Sequence, residues 1–139
     1  MTGKGVRIAA AIARFQGREL DARYLGYFDC FNRRLFYEAH EVLEPLWLER
    51  RRGPEAAFYK GLIQLAGAFV HLQKNRLRPA AALFRLAGAN LGQYPATHGR
   101  LDVGAARLMS QGWLSKLEAA AFTINPLDST RAPQLHLLD

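Results

Sequence analysis

The sequence predicts an all-α protein, a compact bundle of about five to six antiparallel helices arranged as helical hairpins, with no sheet. Alanine and leucine recur at helical spacing throughout the chain, and no alternating run of β-branched residues is bounded by turns. Glycine and proline fall between the helical segments, where they end one helix and begin the next. With 139 residues, half of them hydrophobic and 22% charged, the chain has the size and composition of one folded domain.

The first two predicted helices precede a basic turn. One covers about Val6 to Gln16 and ends near Gly17, because glycine commonly ends a helix. Another begins after Asp21, a residue type that caps helix N-termini. Residues 32–34, Asn-Arg-Arg, form either a tight turn or a continuation of that helix. The second helix carries four aromatic residues: Tyr24, Tyr27, Phe28 and Phe31.

The next two helices are separated by the clearest boundary in the chain. The helix that contains "FYEAHEVLEPLW" runs to about Arg52, and Pro45 within it removes one hydrogen bond and favours a kink. Gly53 and Pro54 then supply a stop and a start. A central helix follows over about Glu55 to Lys74, with a wide apolar arc. The rest of its surface is a narrow strip: Lys60, Gln64, Gly67 and His71.

Two further helices complete the predicted domain, which spans residues 1–124. One opens at Pro79 and is ended by "GQYPATHGR". The other is capped by Asp102 and runs to about Phe122. Its predicted apolar set is Leu108, Met109, Trp113 and Leu117. Residues 125–139 have no helical period and form a tail that either docks through its leucines or stays loose.

Composition limits the compartment and the partners. The single cysteine, Cys30, makes no intramolecular disulfide, so a cytoplasmic protein is expected. No segment reaches the roughly 18 to 20 apolar residues of a membrane span. The net charge of +7 allows nucleic-acid binding, but the scattered arginines favour a solvated surface. Wide apolar surfaces on several helices are compatible with a homodimer.

The segment "FYEAHEVLEPLW" carries the strongest functional pattern. On a helix, His40 and Glu44 share a face with Trp47, with Glu41 on its edge and Phe36 beneath. A histidine and a glutamate four residues apart can bind one divalent metal ion, such as zinc, manganese or iron. Because two ligands do not complete such a site, a second helix must contribute. The polar strip of the central helix offers three side chains for this purpose: His71 as a further metal ligand, with Gln64 and Lys60 around it.

These residues support three interpretations. In the first, the protein is a metal-dependent hydrolase in which Glu41 acts as a ligand or general base. In the second, it is a noncatalytic interaction module for a protein or RNA partner, and His40 and Glu44 are a structural pair. In the third, Lys60 and Trp47 line a pocket for an anionic small molecule. A zinc protease is excluded because Glu44 stands where its second histidine would be, and a di-iron bundle is excluded because the Glu-x-x-His pairs that it requires on two helices are missing.

The motif and the segments after it resemble a known family. They are "FNRRLFYEAHEVLEPLW", "FYKGLIQLAGAFVHLQKNR" and "LFRLAGANLGQYP", with His-x-x-x-Glu-x-x-Trp followed by Gly-Leu-Ile-Gln at residues 61–64. Over about residues 24–94 the chain is similar to the family called domain of unknown function 309, small helical proteins of bacteria and archaea. This resemblance implies an all-helical fold and a suggested metal-binding role for His40 and Glu44. It implies no substrate.

Overall fold

The computed structural model describes residues 3–139, which fold into six α-helices, one short 3₁₀ helix and one small hairpin. The α-helices are α1 (Gly3–Ile12), α2 (Ala22–Asn32), α3 (Phe36–Arg50), α4 (Ala56–Gln73), α5 (Leu77–Leu91) and α6 (Val103–Ala119). The 3₁₀ helix is Ala13–Phe15, and the strands are β1 (Thr97–His98) and β2 (Leu101–Asp102). The predicted all-α class is therefore confirmed, with six helices packed together.

The core is built around α4, which contacts both of its neighbours in the chain. Consecutive helices from α2 to α5 are joined by short connections, so each returns alongside the one before it. Phe69 of α4 is fully buried, and its ring lies within 5.6 Å of an aromatic ring from each of the other helices α2, α3, α5 and α6. Those four rings belong to Phe31, Phe36, Phe84 and Trp113.

Local sequence explains where several helices begin and end. The side chain of Asp21 accepts a hydrogen bond from the backbone N–H of Arg23, and that of Asp102 accepts one from Ala105, so both aspartates cap helices as predicted. Residues 33–35 form a turn in which Arg34 has a φ of 64°. The alternative of a continuous helix through residues 32–34 is therefore wrong. In α3, the helix continues through Pro45 to Arg50.

Helix α5 packs closely on α4 because two glycines of α4 leave room for it. A Cβ atom on Gly61 would lie 3.0 Å from the side chain of Leu91, and one on Gly67 would lie 3.2 Å from that of Leu83. Both distances are shorter than ordinary van der Waals contact. The absence of side chains at these two positions therefore allows the close approach of α5.

The prediction that the fold contains no sheet is wrong, because β1 and β2 pair as an antiparallel hairpin between α5 and α6. Its two turn residues, Gly99 and Arg100, have φ values of 55° and 59°. Positive φ at both positions is the geometry of the tight hairpin turn that matches strand twist. The hydroxyl of Tyr24 donates a hydrogen bond to the Gly99 carbonyl at 2.7 Å, which ties the hairpin to α2.

Two segments at the ends of the chain attach to the bundle in different ways. Helix α1 begins at Gly3, earlier than predicted, and contacts α2 and α3. The C-terminal segment docks through the buried Leu135, whose backbone N–H and carbonyl both hydrogen-bond the Asn32 side chain. Leu108, predicted to face the core, is 75% exposed. In the described residues, no helix is both long enough and apolar enough to span a lipid bilayer.

Candidate functional site

A groove on the surface of α3, α4 and α5 adjoins the charged motif; we call it the motif groove. Its volume is about 310 Å³. Its lining residues are Tyr37 and His40 from α3; Lys60, Ile63, Gln64, Gly67, Val70 and His71 from α4; and Leu83 from α5. The polar strip of α4 therefore faces the motif helix, and the structure brings together four predicted site residues: His40, Lys60, Gln64 and His71.

His40 and Glu44 form a pair that extends to α1. The Nε2 atom of His40 lies 3.2 Å from Oε2 of Glu44, and Nζ of Lys4 donates a hydrogen bond to Oε1 of the same carboxylate at 3.2 Å. Burial raises the pKa of Glu44, but the Lys4 hydrogen bond and the charge of His40 outweigh it, so the net pKa is lowered. Each carboxylate oxygen thus already has a nitrogen partner.

Glu41 lies on the other side of the motif helix, against α1. It is only 3% exposed, and its Oε2 accepts a hydrogen bond from the guanidinium of Arg7 at 2.8 Å. The small cavity that it lines is shared with side chains of α1, including Ile8 and Ala11. The structure therefore does not bring Glu41, the candidate general base, into the motif groove.

The remaining motif residues divide between the core and the rim of the groove. Phe36 is fully buried and stacks on Phe69 at 5.0 Å, so it belongs to the core. Trp47 is half-buried, and Nζ of Lys60 lies 4.3 Å from the centre of its ring. This distance is typical of a cation–π contact. Trp47 therefore orients the ammonium group that lines the groove.

Gln64 has its side-chain amide oriented by α5. Its Oε1 accepts a hydrogen bond from Nδ2 of Asn90 at 2.7 Å. Since that bond assigns the oxygen of the amide, the Nε2 hydrogens remain as donors. In residues 3–139, neither Nε2 of Gln64 nor Nζ of Lys60 has a protein oxygen as a hydrogen-bond partner.

His71 contributes an unsatisfied nitrogen. Its Nδ1 is buried and has no hydrogen-bond partner in the described residues. Burial lowers the pKa of this imidazole, and the nearby charges of Arg76 and Lys74 lower it further. His71 is consequently neutral at pH 7, and the groove gains no charge from it.

The predicted metal site needs three ligands in one place, which this arrangement does not supply. Across residues 3–139, no group of three or more His, Cys, Asp or Glu side chains is arranged to hold a metal ion. Glu44 is shared between His40 and Lys4, while Glu41 is paired with Arg7. The donor set around the motif is therefore that of an ion-pair cluster, and the residues present do not fit a closed metal site.

Two sets of side-chain contacts could not be predicted from the sequence. Lys4 and Arg7 are separated from their carboxylate partners by 40 and 34 residues, so no local pattern connects them. His98, which a loop position would leave exposed, instead lies 2.7 Å from Oε2 of Glu55 and packs on an aromatic ring. The only sequence feature that pointed to the ion pairs of Glu41 and Glu44 was the basic character of the N-terminal segment, which contains Lys4 and Arg7.

Six packed helices with an ion-paired motif and an adjacent open groove define a helical bundle with a candidate binding face beside the motif. Residues 24–83 match the model of the family described as Domain of unknown function (DUF309). The resemblance drawn from the motif is thus confirmed over this segment, which contains the whole motif groove, whereas α1 lies outside it. No curated protein and no solved structure significantly matches the chain.

Replacing His71 with leucine is expected to raise the free energy of unfolding by about 1 kcal/mol. An unsatisfied buried polar atom costs about 1 to 3 kcal/mol, and leucine has a similar length without that atom. Urea unfolding at pH 7 measures the change. Lys74→Leu, at an exposed residue directly after α4 whose side chain makes no hydrogen bond or ion pair in the described residues, is the control and should change stability by less than about 0.5 kcal/mol. A destabilised His71→Leu would mean that Nδ1 has a partner in solution.

The lowered pKa of Glu44 predicts a dependence of stability on acid. A carboxyl with a folded pKa below its unfolded value of 4.5 stabilises the fold above that pH, and the contribution disappears as pH falls through the folded pKa. We expect the parent protein to be more stable than Glu44→Gln at pH 7 and the difference to shrink below about pH 4.5. Urea unfolding of both proteins between about pH 3 and 7 measures it. A difference that grows in acid would contradict the assigned sign.

Proposed function

We propose that this protein is a noncatalytic binding module whose ligand site is the motif groove. One observation carries the proposal. The carboxylates of Glu41 and Glu44 are engaged by α1 and, for Glu44, also by His40, while the neighbouring groove retains hydrogen-bond donors without protein partners in the described residues. A concave surface with an apolar lining and a few convergent polar groups is the usual form of a ligand site.

The lining supports the binding of a group that is mostly apolar. Ile63, Val70 and Leu83 are partly buried hydrophobic residues around Gly67. Tyr37 is 48% exposed at the edge of the groove. An apolar group placed here would cover these side chains, and the volume of about 310 Å³ suits a small ligand or one side chain of a partner protein.

Filling the groove tests the proposal. The neutral probe is benzyl alcohol, followed by backbone amide chemical shifts of the full chain. We expect shift changes confined to the lining residues, and we expect Gly67→Leu to abolish them because the new side chain occupies the groove. Gly112→Leu is the matched control, since a Cβ at Gly112 in α6 meets no atom within 4 Å. Equal shift changes in both variants would overturn the proposal.

A metal-dependent hydrolase is the second candidate function, and the unpartnered Nδ1 of His71 favours it. This atom belongs to a side chain that lines the same groove as His40. A divalent ion held by His40, Glu44 and His71 would need Glu44 to exchange Lys4 for the metal. The two candidates differ in the effect of Glu44→Gln, which removes a metal ligand in one and weakens the attachment of α1 in the other.

A further inference from the structure

The chemistry of the motif groove also indicates the class of its ligand, an inference that rests on the proposed binding function. Its charged and hydrogen-bonding groups are unevenly distributed. Lys60 supplies an ammonium group and Gln64 supplies amide hydrogens, one helical turn apart on α4. No Asp or Glu is among the residues that line the groove in the described part of the chain. The groove therefore presents donors and a positive charge to a ligand.

Both donors are oriented by neighbours that leave them free for a ligand. Trp47 contacts the Lys60 ammonium through its ring, a contact that neutralises no charge. Asn90 occupies the carbonyl oxygen of Gln64 and so directs the Nε2 hydrogens elsewhere. A carboxylate accepts hydrogen bonds on two oxygens, which matches two donors side by side.

The opposite end of the groove is less polar. Beyond Gly67, the lining consists of Val70, His71 and Leu83, with Ile63 on the same surface. His71 is neutral at pH 7 and adds no charge at that end. A ligand with a negatively charged head and an apolar body matches this division. A phosphate is less well matched, because it carries more charge than one lysine neutralises.

We propose that the motif groove binds an organic monocarboxylate, with the carboxylate at Lys60 and Gln64 and the apolar body along Gly67, Val70 and Leu83. The ligand is recognised by charge at one end and by shape at the other. Lys60 and Gln64 determine the specificity, while the apolar residues supply contact area.

The test compares 4-phenylbutanoate with its neutral analogue 4-phenylbutanamide, which differs only in the head group. Titrations followed by amide chemical shifts give an affinity for each compound. We expect the carboxylate to bind about tenfold more tightly than the amide, the effect of one charge-assisted hydrogen bond. Shift changes should lie at residues 60–71 and at Leu83.

Three variants assign the effect to the head group. Lys60→Met should weaken the carboxylate about tenfold and leave the amide unchanged. Gln64→Glu keeps an acceptor for Asn90 but replaces the donor with a negative charge, so it should abolish carboxylate binding at pH 7. Lys74→Met, at an exposed lysine outside the groove, is the matched charge control and should change neither affinity.

The outcomes separate this inference from the proposed function. Equal affinity for both compounds, or an unchanged carboxylate affinity in Lys60→Met, would overturn the monocarboxylate while leaving a general apolar groove. The absence of groove shifts with either compound would overturn the inference. In that case, the benzyl alcohol comparison of Gly67→Leu and Gly112→Leu tests separately whether the motif groove is a ligand site at all.

Discussion

Phe69→Ala is expected to lower the free energy of unfolding by about 3 to 5 kcal/mol, because it removes the ring around which the helices pack. Phe69 is fully buried, and rings from α2, α3, α5 and α6 surround it. Alanine would leave a cavity that four helices would have to collapse to fill. Urea unfolding followed by circular dichroism measures the change.

The matched control for that substitution is Tyr37→Ala, which truncates an aromatic ring that is 48% exposed. Its effect should remain within about 1 kcal/mol, because about half of this side chain stays in water in the folded protein. If the two variants were equally stable, Phe69 would not occupy the centre of the bundle. The packing described for α4 would then be wrong.

Arg7→Met is expected to lower the free energy of unfolding by about 2 kcal/mol. It leaves the Glu41 carboxylate buried without its cation, which costs more than the loss of an exposed ion pair. Adding Glu41→Gln should recover part of the loss, because the amide carries no charge to desolvate. Hydrogen exchange of the α1 amides should become faster in Arg7→Met, since this contact attaches α1 to α3.

A double-mutant cycle gives the coupling between Arg7 and Glu41 directly. We expect at least about 1 kcal/mol for this pair. Arg85 and Glu118 are the comparison pair, because both of their side chains are about half exposed and such pairs contribute about 0 to 1 kcal/mol. Equal coupling in the two cycles would show that burial of Glu41 does not strengthen its pair.

The helices could be predicted from sequence because their determinants are local. Asp21 and Asp102 cap helices through contacts two or three residues away, and Gly53 and Pro54 mark the boundary between α3 and α4. The hairpin of β1 and β2 could not be predicted from the sequence, because each strand has two residues, too few to show an alternation of apolar and polar side chains. Leu108 was misassigned because periodicity gives the spacing of apolar residues without showing which neighbours cover them.

The candidate site could be predicted in part. The spacing of Lys60, Gln64 and His71 placed them on one face of α4, and that face lines the groove with His40. The partners of Glu41 and Glu44 could not be predicted, since they come from α1 across more than 30 residues. Without α1, both carboxylates look available for a metal ion. With α1 in place, the same residues form ion pairs.

The metal content of the protein shows whether Glu41 and Glu44 hold α1, as their ion pairs indicate, or bind a metal ion. The parent and Glu44→Gln are dialysed together against Zn²⁺ and then Mn²⁺, washed in metal-free buffer and analysed for metal per chain. We expect far less than one ion per chain in both proteins, with Glu44→Gln less stable at pH 7. One ion per chain in the parent, lost in Glu44→Gln, would instead assign the motif to metal binding.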